Sequence, residues 1–232
     1  MAKLLVDIVN VNMKDLEIAR IARLSRGIKD EIGGSKSLKE LNDDLRLFHD
    51  LWDWGHLSVF EFLQITFYIE CPIFTARQVM RHRTGRYLER SLRYSKAENP
   101  DFYYFGMKTN GEVEGTLKNT QLYNAYKNAL HTYKLLLDEG IKPEEARTVL
   151  PMGIYTQFYW QIDARNLFHF LELRINNHAQ QNIRDLSFMI LEELRHNEMT
   201  KNIYKLYIES LKEKSSIDIW FEKDIKPDDP AK

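Results

Sequence analysis

Cysteine is nearly absent: Cys71 is the only one in 232 residues. A single thiol excludes an intramolecular disulfide framework and any multi-cysteine metal site. Glycine is scarce too, ten in all, and none falls in a G-x-G-x-x-G or G-x-x-x-x-G-K-[ST] pattern. Both common glycine cradles for phosphate are therefore missing. Net charge is missing as well: 33 Lys and Arg against 34 Asp and Glu leave a formal −1. That argues against a globally basic nucleic-acid binder and leaves a local basic patch open. No apolar run approaches the roughly 20 residues that a membrane helix needs. The start, MAKLLVDIVNVNMKDLE, has one early lysine and an apolar stretch interrupted by Asp7, without a signal-peptide core or cleavage site. These absences predict a soluble cytoplasmic protein with no membrane partner.

Hydrophobic residues at 44% and aromatics at 12% supply a real core at this length and exclude a disordered chain. Residues 3–11 read as a strand, and 15–26 carry apolar residues at near-helical spacing. A polar break at 27–36 precedes a helix capped by Ser37, running to Trp54 and stopped by Gly55. A strand over 62–70 ends at Pro72, and 73–83 reads as a helix. Residues 84–117 read as irregular or strand-like, polar around 109–115. A long helix over 120–139 stops at Gly140, and Pro143 opens a short helix that Pro151 breaks. Residues 154–162 alternate like a strand, and Asp163 reads as the N-cap of a helix reaching Arg174. One last helix is expected from about 179 past 211, before a frayed tail. No linker is visible, so the expectation is one helix-rich α+β domain over 1–215 and a C-terminal tail at 216–232. His49, His131 and His196 are scattered without metal-like spacing, so no metal site is expected.

The segment 77–96, RQVMRHRTGRYLERSLRYSK, is the chemically distinctive one. It holds Arg77, Arg81, Arg83, Arg86, Arg90, Arg93 and Lys96 against a single acid, Glu89. Solvated charge runs mix signs; arginine instead suits bidentate binding of phosphate and stacking on flat rings. The apolar CPIFTARQVM before it anchors the arginines to a rigid element. An anion site for a phosphorylated ligand is one reading, a solvated or subunit-facing basic strip the other. Tyr87 and Tyr94 interleave the arginines, a mixture that also suits single-stranded nucleic acid.

Within it, Arg81-His82-Arg83, then Ser91 and Arg93, form an R-H-R-x7-S-x-R pattern. This resembles the signature of the flavin-dependent thymidylate synthases. Gly55-His56-Leu57-Ser58 with Glu61, Pro72-Ile73-Phe74 with Ala76-Arg77-Gln78, Ala146-Arg147 with Val149-Leu150-Pro151, and Asp163-Ala164-Arg165 with His169 and Arg174 through Gln180 are similar to further blocks of that family. The blocks run in order from about residue 1 to 210. The resemblance implies the family's α+β fold, a helix-rich single domain around a mixed or antiparallel sheet. It also implies reductive methylation of dUMP to dTMP. FAD carries the hydride, NADPH is the reductant and 5,10-methylenetetrahydrofolate the carbon donor. No enzyme cysteine acts as nucleophile. It further implies a homotetramer with active sites shared between subunits, and no nucleic-acid partner.

By resemblance, FAD contacts fall on His56, Ser58, Arg81, His82, Arg83, Glu89, Asp163, Arg165 and His169. Those to dUMP fall on Gln78, Arg81, Glu89, Arg90, Ser91, Leu92, Arg93, Arg147 and Arg174. Ser91 and the backbone of Leu92 and Arg93 would hold the phosphate, with Arg93 and Arg147 neutralising it. Arg174 is the implied catalytic residue, stabilising an electron-rich uracil ring. Glu89 reads as a charge-balancing partner or a ribose ligand, and Gln78 as a ligand of base or sugar. His56 reads as a helix-end cap or a flavin contact. Asp163 and His169 stand where asparagine is common, and Arg86 where a small polar residue is; Asp163 reads equally as an N-cap. UMP remains an alternative substrate. Arg165 and Arg174, nine residues apart, would point to nearly opposite sides of one straight helix unless the helix ends before Arg174.

Overall fold

The computed structural model describes residues 4–28, 36–98, 100–105 and 117–214. Most of the polar break at 27–36, the polar 109–115 stretch and the tail at 216–232 lie outside the described residues. The order is β1 (Leu5–Val11), α1 (Glu17–Arg23), α2 (Leu38–Asp53), β2 (Gln64–Pro72), α3 (Ile73–Val79) and β3 (Arg86–Glu89). It continues with α4 (Leu117–Asp138), α5 (Pro143–Ala146), β4 (Tyr155–Asp163), α6 (Ala164–Ile175), α7 (Gln181–His196) and α8 (Lys201–Lys214). The strands form one sheet in the order β1-β2-β4-β3, so the class is α+β, as expected. The chain divides into two compact units, Met1–Val9 with Thr66–Gln161 and Asn10–Ile65 with Ile162–Lys232. The divisions fall inside β1, β2 and β4.

In the first unit β3 pairs antiparallel with β4, with Leu88 opposite Tyr159 and Glu89 opposite Phe158. Alternation sorts the faces: Phe67, Ile69, Cys71, Phe158 and Trp160 are buried, while Leu88 and Tyr159 are exposed. A second cluster of Ala97, Tyr133, Ala146 and Ile154 ties the segment after β3 to α4 and α5. The Tyr133 hydroxyl accepts from the Ala97 backbone N–H inside it.

The second unit is mostly helix. Ser37 and Glu40 form the reciprocal capping box at the start of α2, and Gly55 ends that helix at φ +72°. Trp52 joins Phe60 and Phe168 edge-on, and its Nε1 donates to Ser210 Oγ at 2.7 Å. The single C-terminal helix expected from the sequence is two, α7 and α8, separated by 197–200. The break has its own chemistry. Asn197 Oδ1 accepts from Met199 N, and Thr200 Oγ1 donates to Leu194 O. The buried Asp15 carboxylate accepts from Asn202 N at 2.6 Å and Ile203 N at 2.9 Å, capping α8 from far along the chain. Apolar periodicity continues across this gap, so the pattern alone does not show it.

Candidate active site

The first unit forms an open cavity of about 850 Å³ after β3. Glu89, Arg90, Ser91 and Leu92 line it from the arginine segment, Arg147 from the turn after α5, and Thr156 and Gln157 from β4. So five of the nine residues implied for dUMP meet at one hollow. Arg90 lies at its edge as a clamp: its guanidinium donates to Ser95 Oγ (3.3 Å), Gln157 Oε1 (3.2 Å) and Lys96 O (3.1 Å). It braces the turn at 91–96 against β4. In that turn Ser91 Oγ accepts from Arg93 N, and Ser91 O from Ser95 N. Arg93 and Arg147 both reach Glu144: Arg93 Nε donates to its carboxylate at 3.0 Å, Arg147 Nε to its carbonyl at 3.2 Å.

Gln78 sits near the end of α3, half-buried. The helix stops at Val79, short of the expected 83, and a side chain meets its last carbonyl and the turn beyond it. The Tyr87 hydroxyl donates to Val79 O (3.0 Å) and His82 O (2.7 Å). Tyr87 stacks parallel on Trp160 with ring centroids 6.2 Å apart, and burial pushes its phenol up to about 12. Gly85 is required by the closeness of this packing: a Cβ there would fall 2.3 Å from Trp160 Nε1. The resulting turn carries Arg81, His82 and Arg83, with His82 half-buried and both arginines exposed. Neither arginine makes a side-chain bond to any described residue.

The other implied residues lie in the second unit. His56 and Ser58 stand in the exposed turn after α2, His56 edge-on to Trp54 at 6.0 Å. His56 makes no side-chain cap bond there. Glu61 in the same turn pairs with Arg165 at 2.5 Å. Arg165, His169 and Leu173 form an exposed stripe along α6 at a four-residue spacing. Asp163 is buried and acts as the N-cap: one oxygen accepts from Asn166 N (2.9 Å), the other from Asn166 Nδ2 (2.8 Å). Its carboxylate is engaged inside the fold. Arg174 is half-buried in the last turn of α6, so the helix does extend through it and the two arginines leave opposite sides.

Thr156, Gln157, Glu144 and Tyr87 shape these places without having been singled out for them by sequence pattern. Only Tyr87 had a local signal, as an aromatic among arginines. Cys71 is buried, and burial followed by the charge of Glu89 raises its thiol far above the usual range. Among the described residues no three His, Cys, Asp or Glu side chains gather as a metal site, and no helix is long and apolar enough to cross a membrane.

Residues 7–197 match the family described as "Thymidylate synthase complementing protein". A flavin-dependent thymidylate synthase of Thermotoga neapolitana is 36% identical over 192 residues, covering 82% of this chain and 85% of the relative. One from Treponema denticola is 40% identical over 196 residues, covering 77% of this chain and 70% of the relative. Among solved structures, a UMP/dUMP methylase, PolB of Streptomyces cacaoi, bound with 5-Br dUMP, superposes with a TM-score of 0.72 at 26% identity. That match covers 90% of this chain and 96% of PolB. Matched over most of its length by profile, sequence and fold, the chain belongs to the flavin-dependent thymidylate synthase family.

Proposed function

We propose that the protein is a thymidylate synthase that methylates dUMP at C5 to give dTMP, with the first unit's cavity as the nucleotide site. The observation that carries this reading is the convergence of Glu89, Arg90, Ser91, Leu92 and Arg147 on one cavity of about 850 Å³. Cations, a hydroxyl and turn N–H groups suit a phosphate, and a lone carboxylate suits a sugar hydroxyl. Arg147 and Arg93 bind the phosphate, which takes Arg93 over from Glu144. Ser91 and the turn that Arg90 braces hold its remaining oxygens. Gln78 reaches base or sugar. Arg174 stabilises the negative charge that develops on the uracil ring, a fixed guanidinium where charge appears.

The donor set fits a flavin dinucleotide. Arg81 and Arg83 are exposed cations without a side-chain partner among the described residues, suited to a diphosphate, and His82 offers a half-buried ring beside them. The family resemblance also assigns flavin contacts to His56, Ser58, Arg165 and His169, and Asp163 caps the start of α6. When bound, FAD would relay reducing equivalents from NADPH to the carbon unit supplied by 5,10-methylenetetrahydrofolate. Cys71 takes no part: a buried thiol held well above its normal range is not a nucleophile at neutral pH. The working assembly is a homotetramer with shared active sites. Sedimentation of the purified chain tests this, and a monomer at assay concentration would oppose it.

The test is tritium release from C5-labelled dUMP with FAD, NADPH and methylenetetrahydrofolate present. Release that vanishes in Arg174→Ala is the expected result. No release from a folded, flavin-loaded protein sinks the dUMP reading and turns the question to UMP.

A further inference from the structure

Glu89 is the only acid among the cations of 77–96, yet it forms no ion pair among the described residues. Its bond is to a hydroxyl: Thr156 Oγ1 donates to Glu89 Oε1 at 2.8 Å, and both residues line the cavity. Thr156 is buried at 6% exposure on β4, two residues from Phe158, the register partner of Glu89. Its β-branch restricts χ1, and its one hydroxyl proton is committed to Oε1. A carboxylate with both oxygens unengaged can take the two hydroxyls of a cis-diol, one on each oxygen. The Thr156 bond takes one of the two acceptor positions on Oε1, so Oε2 is the oxygen open to a first hydroxyl and a second would compete with Thr156 at Oε1.

We infer that Thr156 is a positioning residue that makes the cavity select a 2′-deoxyribose over a ribose, by competing for one of the two Glu89 oxygens and fixing the carboxylate's orientation. This rests on the nucleotide reading of the cavity. The structural relative PolB is named for both UMP and dUMP, so the two sugars are the relevant competitors.

Equilibrium binding of dUMP and of UMP to the flavin-loaded full chain tests it, in wild type, Thr156→Val and Thr156→Ser. Wild type favours dUMP, and Thr156→Val shrinks that preference by about tenfold, as expected for one hydrogen bond to a charged group. Thr156→Ser, which keeps the hydroxyl, retains the preference. Thr156→Ala removes the same donor if the valine variant fails to fold, and thermal melting checks both. A wild type that binds neither nucleotide overturns the nucleotide reading itself. A wild type that binds dUMP while taking UMP equally well, or whose preference is unchanged in both Val and Ala variants, overturns the role of Thr156 alone.

Discussion

The two units treat charge in opposite ways. In the second, two carboxylates are buried against chosen partners. Asp15 is 1% exposed and gathers the backbone N–H groups of Asn202 and Ile203, and Asp44, equally buried, takes both Arg23 and Lys36. In the first, arginines stand at the surface of a hollow. Arg90 donates to neutral groups, Gln157, Ser95 and a carbonyl, Arg93 makes one exposed pair with Glu144, and Arg81 and Arg83 bond to nothing described. Buried pairs are strongly damaging to break because the survivor has no water to return to. Exposed cations cost little to hold and are available to an incoming anion. Within this one chain, the charges that hold the fold and those proposed to meet a ligand thus differ in their partners rather than in their number.

The largest expected break is on the ligand side. Arg174→Ala should lower tritium release by roughly 100-fold or more, the usual scale for losing one aimed charge. The melting point should stay within a few degrees of wild type, and a joint loss of fold would blur the distinction. Next comes Asp15→Ala, which orphans several donors at the start of α8. A cost of about 3 kcal/mol is expected, or very roughly 9 °C in the melting point, read by calorimetry. Activity assayed well below that melting point should survive.

The same residue gives a pH test. Burial raises the Asp15 carboxyl above its ordinary value, so the folded state holds that proton to higher pH than the unfolded chain does. Its contribution is therefore complete below the unfolded carboxylate range and declines as pH rises through the folded value. Chemical denaturation of wild type and Asp15→Asn across pH 3–7 should show the stability of wild type relative to the variant falling as pH rises, since Asp185, also raised by burial, titrates in both.

Smaller effects sharpen the contrast. Gly85→Ala should cost about 1–3 kcal/mol and reduce retained flavin, because the added methyl collides with Trp160 and displaces the Arg81–Arg83 turn. Retention of flavin with an unchanged melting point would separate that turn from the cofactor. Smallest is Glu61→Ala: an exposed pair with Arg165 should be worth less than about 1 kcal/mol by denaturant titration.

Much of this architecture is legible in the sequence, for local reasons. Ser37 with Glu40, Gly55, Gly140, Pro143 and Asp163 act where their own backbone preferences put them. The R-H-R segment announces itself because arginine is dense there while the whole chain is neutral. What the pattern hides is set from a distance. Where α3 ends, Tyr87 bonds Val79 O and, beyond the helix, His82 O, and where α7 and α8 separate, Asp15 caps the second of them. The divisions between units fall inside strands, where no change of composition marks them. Thr156 reads as an ordinary strand residue until the sheet register sets it close to Glu89. The sequence left open whether α6 ends before Arg174, and its extent to Ile175 answers that, whereas the Glu144 link to Arg93 had no sequence signal at all.

The most direct test of the central claim, that the arginine-lined cavity is built for a nucleotide phosphate, is calorimetric binding of dUMP against deoxyuridine. Wild type should bind dUMP about 100-fold more tightly, the scale of one or two charge-assisted hydrogen bonds, and Arg147→Ala should remove most of that difference. Equal binding of the two ligands by wild type, or a difference that survives in Arg147→Ala, would contradict the account.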